Sequence, residues 1–335
     1  MKKVLFRWYI HRRIIACFLK IQYSIFYEPQ AICFFDCECA NTFEGVGKIC
    51  SLGYVITDDE LNVMESEDVV INPECDFDWY LLSAKNECHL AYSKDYFRAK
   101  PNYEAYYKDI KKLFTTGNRF IAGFAVGNDV SFVNSANERY ELPDINFRAF
   151  DLEKLLNKHY ETKRKLKEWA EFFGVNVAKF QSHKSVDDAM MTMLCMKKFC
   201  MEQGKSCEEV MQENKDFFIS SEQMLIAAEE RAYRKEMQEK IKRLYNKKNP
   251  MPRHKGVLGI HIELDGHVLK DVDYAFELVK RIYDNGGIVH EHCTGSGLCV
   301  FDVENKAELN ENLVAKVEKR GLQVITLAEL EEKLG

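Results

Sequence analysis

The chain has 335 residues, of which 46% are apolar and 30% charged, and its formal net charge is −6. This is the balance of an ordinary globular protein with ample material for a core. The negative net charge argues against a protein that coats nucleic acid over its whole surface. The length predicts two domains rather than one.

Positive charge is concentrated in two short segments that flank an acidic body. Residues 1–30 carry a net charge of +5 and residues 231–255 carry +8, whereas residues 31–230 carry −12 and residues 256–335 carry −7. A phosphate-bearing partner would be steered to the two basic segments. A solvated helix face explains such a run of charge equally well.

The first 30 residues are basic and apolar, and they predict an N-terminal helix that packs on the body. Basic residues interrupt its apolar stretches, so that no run is long enough for a signal sequence or a membrane span. A helix lying on a membrane surface is the alternative. None of the twelve cysteines forms a CxxC pair, the spacing typical of zinc sites. We therefore expect a cytoplasmic protein with reduced thiols and no membrane partner.

Strand-like segments come first after this helix, at residues 31–35, 48–57 and 66–74, and turn-rich stretches separate them. This order predicts an antiparallel meander. Helical and strand patterns follow, and they lie at 84–116 (mostly helix), 119–126 (strand), 145–159 (strand, then helix), 165–175 (helix) and 185–204 (helix). The pattern predicts an α/β domain with a mixed sheet over residues 31–204.

Residues 205–254 are predicted to be a basic, helical linker, because the stretch 220–248 consists almost entirely of strong helix formers and "NPMPRHKG" then ends the pattern. Strands and helices restart over residues 255–335 in the order βαββαβα. That alternation predicts a second, small α/β domain with a parallel sheet. The basic stretch 231–255 is a candidate for a second nucleic-acid contact, and a merely solvated linker is the alternative.

Carboxylates occur at several predicted strand ends and helix starts. Asp36 and Glu38 end the first buried strand, in "CFFDCECANTF", and because alternate side chains of a strand share a face, both point the same way. Asp129 follows a second buried strand, and Asp188 lies in the first turn of a predicted helix, five residues after His183. Four such acids can surround two divalent cations, such as Mg²⁺ or Mn²⁺. An imidazole beside them is suited to take a proton from an attacking water.

Each part of this pattern also has a purely structural explanation. Any one of the acids could end a strand, occupy a turn or lie favourably at a helix start. A single histidine such as His183 is more often structural than catalytic. The ordered occurrence of all five residues favours the functional explanation.

This order of residues resembles the DEDDh 3′–5′ exonucleases, an RNase H-like family that includes the proofreading epsilon subunit of the bacterial replicative polymerase. The resemblance covers about residues 31–200 and includes Phe132, three residues after the third acid. It implies that two divalent cations, Mg²⁺ or Mn²⁺, are bound by Asp36, Glu38, Asp129 and Asp188. His183 would be the general base, and Glu38 would help to position the water.

The stretch that follows the first two acids approaches the end of the substrate in this family. Here that stretch is Cys39-Ala40-Asn41, where many members have Thr-Thr-Gly, and with Phe132 it forms the expected substrate contact. The resemblance implies hydrolysis of single-stranded or frayed nucleic acid from its 3′ end to nucleoside 5′-monophosphates. DNA is the favoured substrate, with a role in DNA replication or repair.

Residues 255–335 resemble a BRCT domain, particularly the kind found in bacterial NAD-dependent DNA ligases. The order βαββαβα, the pair Gly286-Gly287 and the stretch "GLQVITLAEL" carry this resemblance. Two acids in "ELDG" (263–266) would repel phosphate, so we expect association with DNA or with a replication or repair protein rather than with a phosphopeptide. Two alternatives to the whole interpretation are a protein that tethers a nucleic-acid end without cutting it and an RNA-trimming exonuclease.

Overall fold

The computed structural model describes residues 31–335 except 44–45, 84, 87–88, 118, 255 and 305–307. The predicted N-terminal helix, residues 1–30, lies outside the described residues. The chain divides into two compact units, Met1–Ala227 and Ala228–Gly335. Within the described part of the chain, every helix is too short or too polar to cross a membrane.

The first unit contains one mixed sheet. Its strands are β1 (Ile32–Cys39), β2 (Ile49–Thr57), β3 (Val63–Val70), β4 (Phe120–Gly123), β5 (Arg148–Asp151) and β6 (Phe218–Ser220). They lie in the order β3-β2-β1-β4-β5-β6. β1, β2 and β3 pair antiparallel, whereas β4 is parallel to both β1 and β5. The α/β class, the mixed sheet and the initial meander are confirmed.

Helices cover both faces of this sheet. They are α1 (Lys94–Arg98), α2 (Tyr103–Thr115), α3 (Gly127–Arg139), α4 (Leu152–His159), α5 (Leu166–Phe172), α6 (Ser185–Gln203) and α7 (Cys207–Glu213). Phe34 of β1 packs in the core on the α6 side, whereas its neighbours Cys33 and Phe35 pack in the core that contains residues of α2 and α3. Because side chains alternate along a strand, Asp36 and Glu38 lie on the same face as Phe34, towards α6.

Three parts of the first unit differ from the sequence prediction. The region 84–116 is not one helical stretch, since α1 and α2 are separated and a loop precedes them. The helix α3 was not predicted because its sequence, "GNDVSFVNSANER", is rich in weak helix formers; burial of Val130 and Val133 compensates for this. The three-residue strand β6 was also missed, and it extends the sheet beyond residue 204.

The second unit has a four-stranded parallel sheet. The helix α8 (Ser221–Lys242) leads into it and ends earlier than predicted. The remaining elements are β7 (His261–Leu264), α9 (Val272–Asp284), β8 (Ile288–His290), β9 (Gly297–Phe301), α10 (Glu311–Lys319), β10 (Leu322–Thr326) and α11 (Leu327–Leu334). The strands lie in the order β10-β9-β7-β8, and all of the pairings are parallel. The predicted order βαββαβα and the parallel sheet are confirmed.

Candidate active site

The start of α6 lies directly on β2, opposite Asp36. Asp36 pairs with Gly53 in the β1–β2 register. A Cβ atom on Gly53 would lie 1.9 Å from the backbone nitrogen of Val186 and 2.1 Å from the carbonyl carbon of Ser185. Two residues away on β2, Ser51 pairs with Glu38, and the Oγ atoms of Ser51 and Ser185 are 2.6 Å apart. The missing side chain at Gly53 therefore lets the first turn of α6 reach β2, the neighbour of the strand that carries the first two acids.

Asp129 lies in the first turn of α3 and is only 5% exposed. Its Oδ1 accepts a hydrogen bond of 2.8 Å from the backbone N–H of Cys37. Cys37 lies between Asp36 and Glu38, so this bond fixes the third acid beside the first two. The sequence placed Asp129 directly after a strand, and the structure places it at a helix start that follows that strand.

His183 joins the fourth acid to the second. Its backbone N–H donates to Oδ2 of Asp188 over 2.9 Å, and its backbone has a left-handed conformation with φ of 60°. Its ring Nδ1 lies 3.0 Å from Oε1 of Glu38. An ionised carboxylate can only accept, so Nδ1 carries the proton in this contact and the lone pair of the neutral ring is on Nε2. The five predicted residues thus lie together, although they come from β1, α3 and the start of α6.

Burial and mutual repulsion raise the pKa values of these acids. The pKa of Asp36 is well above its ordinary value because the group is buried and because Asp129, Glu38 and Asp188 add negative charge. Burial raises the pKa of Asp129 to about 8, against the lowering effect of the Cys37 N–H. Burial, followed by the charge of Glu38, raises the pKa of Asp188 to about 7. The cluster therefore favours either protons or a bound cation.

The donor set fits a divalent cation. The Oδ2 atom of Asp36 is buried without a hydrogen-bond partner among the described residues. Glu38, His183 and Asp188 each offer one ligand atom, and these atoms lie within 4.8 Å of one another. Carboxylate oxygens are the ligands that Mg²⁺ and Mn²⁺ prefer. An unpaired buried carboxylate oxygen among further acids is the position that such a cation would satisfy.

The residues predicted to contact substrate have structural partners. Ala40 is fully buried, and its carbonyl accepts a hydrogen bond of 2.9 Å from the N–H of Asp78. Asn41 is 2% exposed, and its side-chain amide donates to Cys75 and to the carbonyl of Asp76. Cys39 is partly buried. The stretch therefore holds the loop that begins near residue 75, and its contact with substrate stays a prediction.

Phe132, the other predicted contact, is also partly buried. Its ring lies where a side chain of Gly47 would be, since a Cβ there would approach the ring to 2.1 Å. The ring packs against the hydrophobic core beside α3. Its contact with substrate also stays a prediction.

An exposed tryptophan that was not predicted lies on a loop bonded to residues near the cluster. Trp79 is 79% exposed and directly follows Asp78, which is bonded to Ala40. Farther along the same loop, the N–H of Ala91 donates to the carbonyl of His183 over 3.2 Å. The loop that carries Trp79 is thus attached at both borders of the acidic cluster. The sequence signal for this exposed aromatic residue is the Trp-Tyr pair that ends the acidic stretch "DFDWY".

Comparison with known proteins finds one family that matches part of the chain. Residues 33–196, just under half of the chain, match the family model RNase_T, which is described as Exonuclease. The matched residues all lie in the first unit. No curated protein matches the chain.

Similar solved structures include three nucleases. A 3′-exonuclease in a structure of 3′-end specific recognition of histone mRNA stem-loop is 15% identical, with 54% of this chain and 86% of that chain covered and a TM-score of 0.46. The nuclease domain of 3′hExo, a DEDDh family member bound to rAMP, is 17% identical over 54% and 96%, with a TM-score of 0.45. E. coli exonuclease I in a zinc-bound complex with single-stranded DNA is 18% identical over 52% and 41%, with a TM-score of 0.44.

Proposed function

We propose that the first unit is a DEDDh-type enzyme. It would hydrolyse nucleic acid from its 3′ end to nucleoside 5′-monophosphates. The observation that carries this proposal is the buried, unneutralised cluster of four carboxylates with His183 at its edge. The preferred substrate is single-stranded or frayed DNA. The order of the five residues, which resembles that of the polymerase epsilon subunit, supports a role in DNA replication or repair.

Two divalent cations, Mg²⁺ or Mn²⁺, would be held by four carboxylates, those of Asp36, Glu38, Asp129 and Asp188. Bound there, such cations would neutralise the phosphodiester and promote ionisation of the attacking water. The hydrogen bond from Cys37 to Asp129 occupies Oδ1 and leaves the other carboxylate oxygen available. The buried Oδ2 of Asp36 is likewise available, since no described residue bonds to it.

His183 is the general base in this proposal. The bond to Glu38 keeps the ring proton on Nδ1 and orients the ring, so that Nε2 can accept a proton from water. The imidazole is 33% exposed, which leaves it accessible to solvent. The pKa of His183 is raised, chiefly by its hydrogen bond to Glu38, so the basic form becomes available as the pH rises. Glu38 thereby contributes to placing both the base and the water.

The second unit is proposed to be a BRCT-like domain that binds DNA or a replication or repair protein. The order βαββαβα and the all-parallel sheet support this proposal. Gly286 supports it as well, because it has a left-handed conformation with φ of 80° after α9, which favours glycine.

The test is digestion of matched 5′-labelled single-stranded DNA and RNA, with Mg²⁺, with Mn²⁺ and with chelator, by the wild type and by Asp36→Ala. Stepwise shortening that needs both metal and Asp36 is expected, and the faster polymer identifies the substrate. A pH series from about 6 to 8 should show a rising rate that flattens in His183→Ala. Binding without shortening under any metal would instead support a tethering protein.

A further inference from the structure

The C-terminal half of α8 is anchored in the second unit. Met237 is 1% exposed and Ile241 is 4% exposed. Ile241 belongs to the same hydrophobic cluster as Val257, Ile262 and Leu264. The basic stretch predicted as a linker therefore begins with a helix whose apolar face forms part of the core of this unit. The opposite face of that helix has a fixed place on a folded surface.

Cations line an exposed side of this helix, next to the apolar face. Arg231, Lys235 and Lys242 are exposed and occur at positions i, i+4 and i+11, which lie on one side of a helix. Arg234 is also exposed and flanks them, with its guanidinium donating to the carbonyl of Lys270 over 3.4 Å. We call these four residues the cationic face. At about 1.5 Å per residue it extends for about 16 Å along the helix.

The cationic face is not neutralised by the chain. Among the described residues, no carboxylate lies within ion-pair distance of Arg231, Arg234, Lys235 or Lys242. Of the two acids in this stretch, Glu236 pairs with Lys240 off the face. Glu239 is exposed beside Lys235 and Lys242 and leaves the face with a net positive charge. The rest of the second unit is acidic, with a net charge of −7 over residues 256–335. The cationic face is thus a local concentration of positive charge on a unit whose sequence from residue 256 onward is net acidic.

We propose that the cationic face binds the phosphate backbone of nucleic acid, independently of base sequence. Exposed cations on one side of a helix that lack carboxylate partners gain most from a polyanion, because binding releases its condensed counterions. The proposal goes beyond catalysis, since the binding surface is on a different unit from the carboxylate cluster. The choice of nucleic acid over other polyanions rests on the proposed function, because the enzyme proposed above acts on nucleic acid.

The experiment compares two triple variants of the full chain with the same change in charge. R231Q/K235Q/K242Q removes three cations from the face, whereas K280Q/K316Q/K319Q removes three exposed cations elsewhere in the second unit. Binding of a fluorescein-labelled single-stranded DNA of about 30 nucleotides is measured by anisotropy in chelator, over a range of salt concentrations. Chelator prevents hydrolysis, so the measurement does not depend on whether the chain is a nuclease.

The face variant should bind at least about tenfold more weakly, and its slope of log affinity against log salt should fall by about 2. The control should stay within about twofold of the wild type in affinity and keep its slope. Equal effects of both variants, or no change in either, would overturn the proposal. So would equally tight, face-dependent binding of poly-glutamate, because the partner would then be any acidic polymer.

A second readout separates this proposal from the nuclease proposal. Hydrolysis of a small chromogenic thymidine 5′-phosphodiester with Mn²⁺ requires the carboxylate cluster, and this substrate has no polynucleotide backbone for the cationic face to bind. The face variant should hydrolyse it at the wild-type rate. If neither the wild type nor any variant hydrolyses this substrate, the proposed nuclease function is wrong. The binding measurement still decides whether the cationic face binds nucleic acid. Thermal unfolding checks that both triple variants are folded.

Discussion

Each unit places an acid on a central strand of its sheet. The chain itself neutralises the acid of the second unit but not that of the first. In the second unit, Glu263 on β7 accepts hydrogen bonds from the guanidinium of Arg320 and from the N–H of Cys293. In the first unit, Asp36 on β1 has a buried oxygen without a described partner, and its neighbours are further acids. A strand acid balanced by its own chain is structural. A strand acid left unbalanced is a site for something from solution.

The largest effect is expected for Asp129→Asn. The amide oxygen can still accept from the N–H of Cys37, so the fold is kept, but a cation loses a charged ligand. Exonuclease activity should fall about a thousandfold, which corresponds to several kcal/mol. In chelator the Tm should stay unchanged, or rise towards pH 8, because the amide cannot acquire the negative charge that Asp129 gains there. Asp109→Asn, an exposed change in α2, is the control for both measurements. A normal rate in Asp129→Asn would exclude Asp129 as a ligand.

The next effect concerns the contact that brings α6 to the cluster. Gly53→Ala should lower kcat about a hundredfold, because the new Cβ displaces the backbone at Val186 and moves Asp188 and His183. Gly266→Ala in the second unit, where a Cβ meets nothing within 4 Å, is the control. Single-turnover rates report the effect, and a Tm checks folding. If Gly53→Ala were as active as the control, α6 would not depend on this close approach.

A smaller effect is expected from the exposed tryptophan. Trp79→Ala should raise KM for a single-stranded substrate about tenfold and change kcat little, since stacking of a base on an aromatic ring contributes about 1–3 kcal/mol. Trp79→Phe should keep most of the affinity. Met251→Ala removes a similarly exposed apolar side chain from the second unit and is the control. A kcat change without a KM change would contradict the stacking role.

Glu263→Gln tests the strand acid of the second unit, which the chain itself neutralises. It should destabilise the second unit by about 1–2 kcal/mol, because Arg320 loses its charged partner while remaining about one-third exposed to solvent. Hydrolysis by the first unit should not change. Urea unfolding of this variant is compared with that of Glu277→Gln, which changes an exposed acid of α9. Equal stability of the two variants would mean that Glu263 does not need its internal partners.

The last prediction concerns the thermal stability of the chain, which should depend on pH. Asp129 and Asp188, with pKa values raised to about 8 and about 7, hold protons in the folded state that the unfolded chain has lost above its ordinary pKa near 4. Stability in chelator should therefore fall as the pH rises from about 4 to 8, and the Tm should fall with it. Mg²⁺ should reduce this fall, most strongly at the upper end, and Asp129→Asn should weaken it. A Tm in chelator that rises through this window would contradict the raised pKa values.

Much of the fold followed from local pattern. The apolar runs of β1 and β2, the helix α6 ended by Gly204 in a left-handed conformation, and the alternating elements of the second unit all have strong periodicity or clear stop signals. The helix α3 and the strand β6 lack such signals, because one is rich in weak helix formers and the other has three residues. Both elements are stabilised by burial against distant parts of the chain, which a local sequence pattern does not predict.

The sequence by itself determined which chemical groups are present and in what order: Asp36 and Glu38 two residues apart on a strand, and His183 five residues before Asp188. Only the tertiary structure decided which charges are balanced. Arg320 reaches Glu263 from 57 residues away, whereas no cation of the described chain bonds to Asp36. It also decided that Ala40 and Asn41 hold a loop and that the basic stretch lies on a helix anchored in a core. The physical reason is that neutralisation and burial depend on contacts between distant segments, which local sequence does not specify.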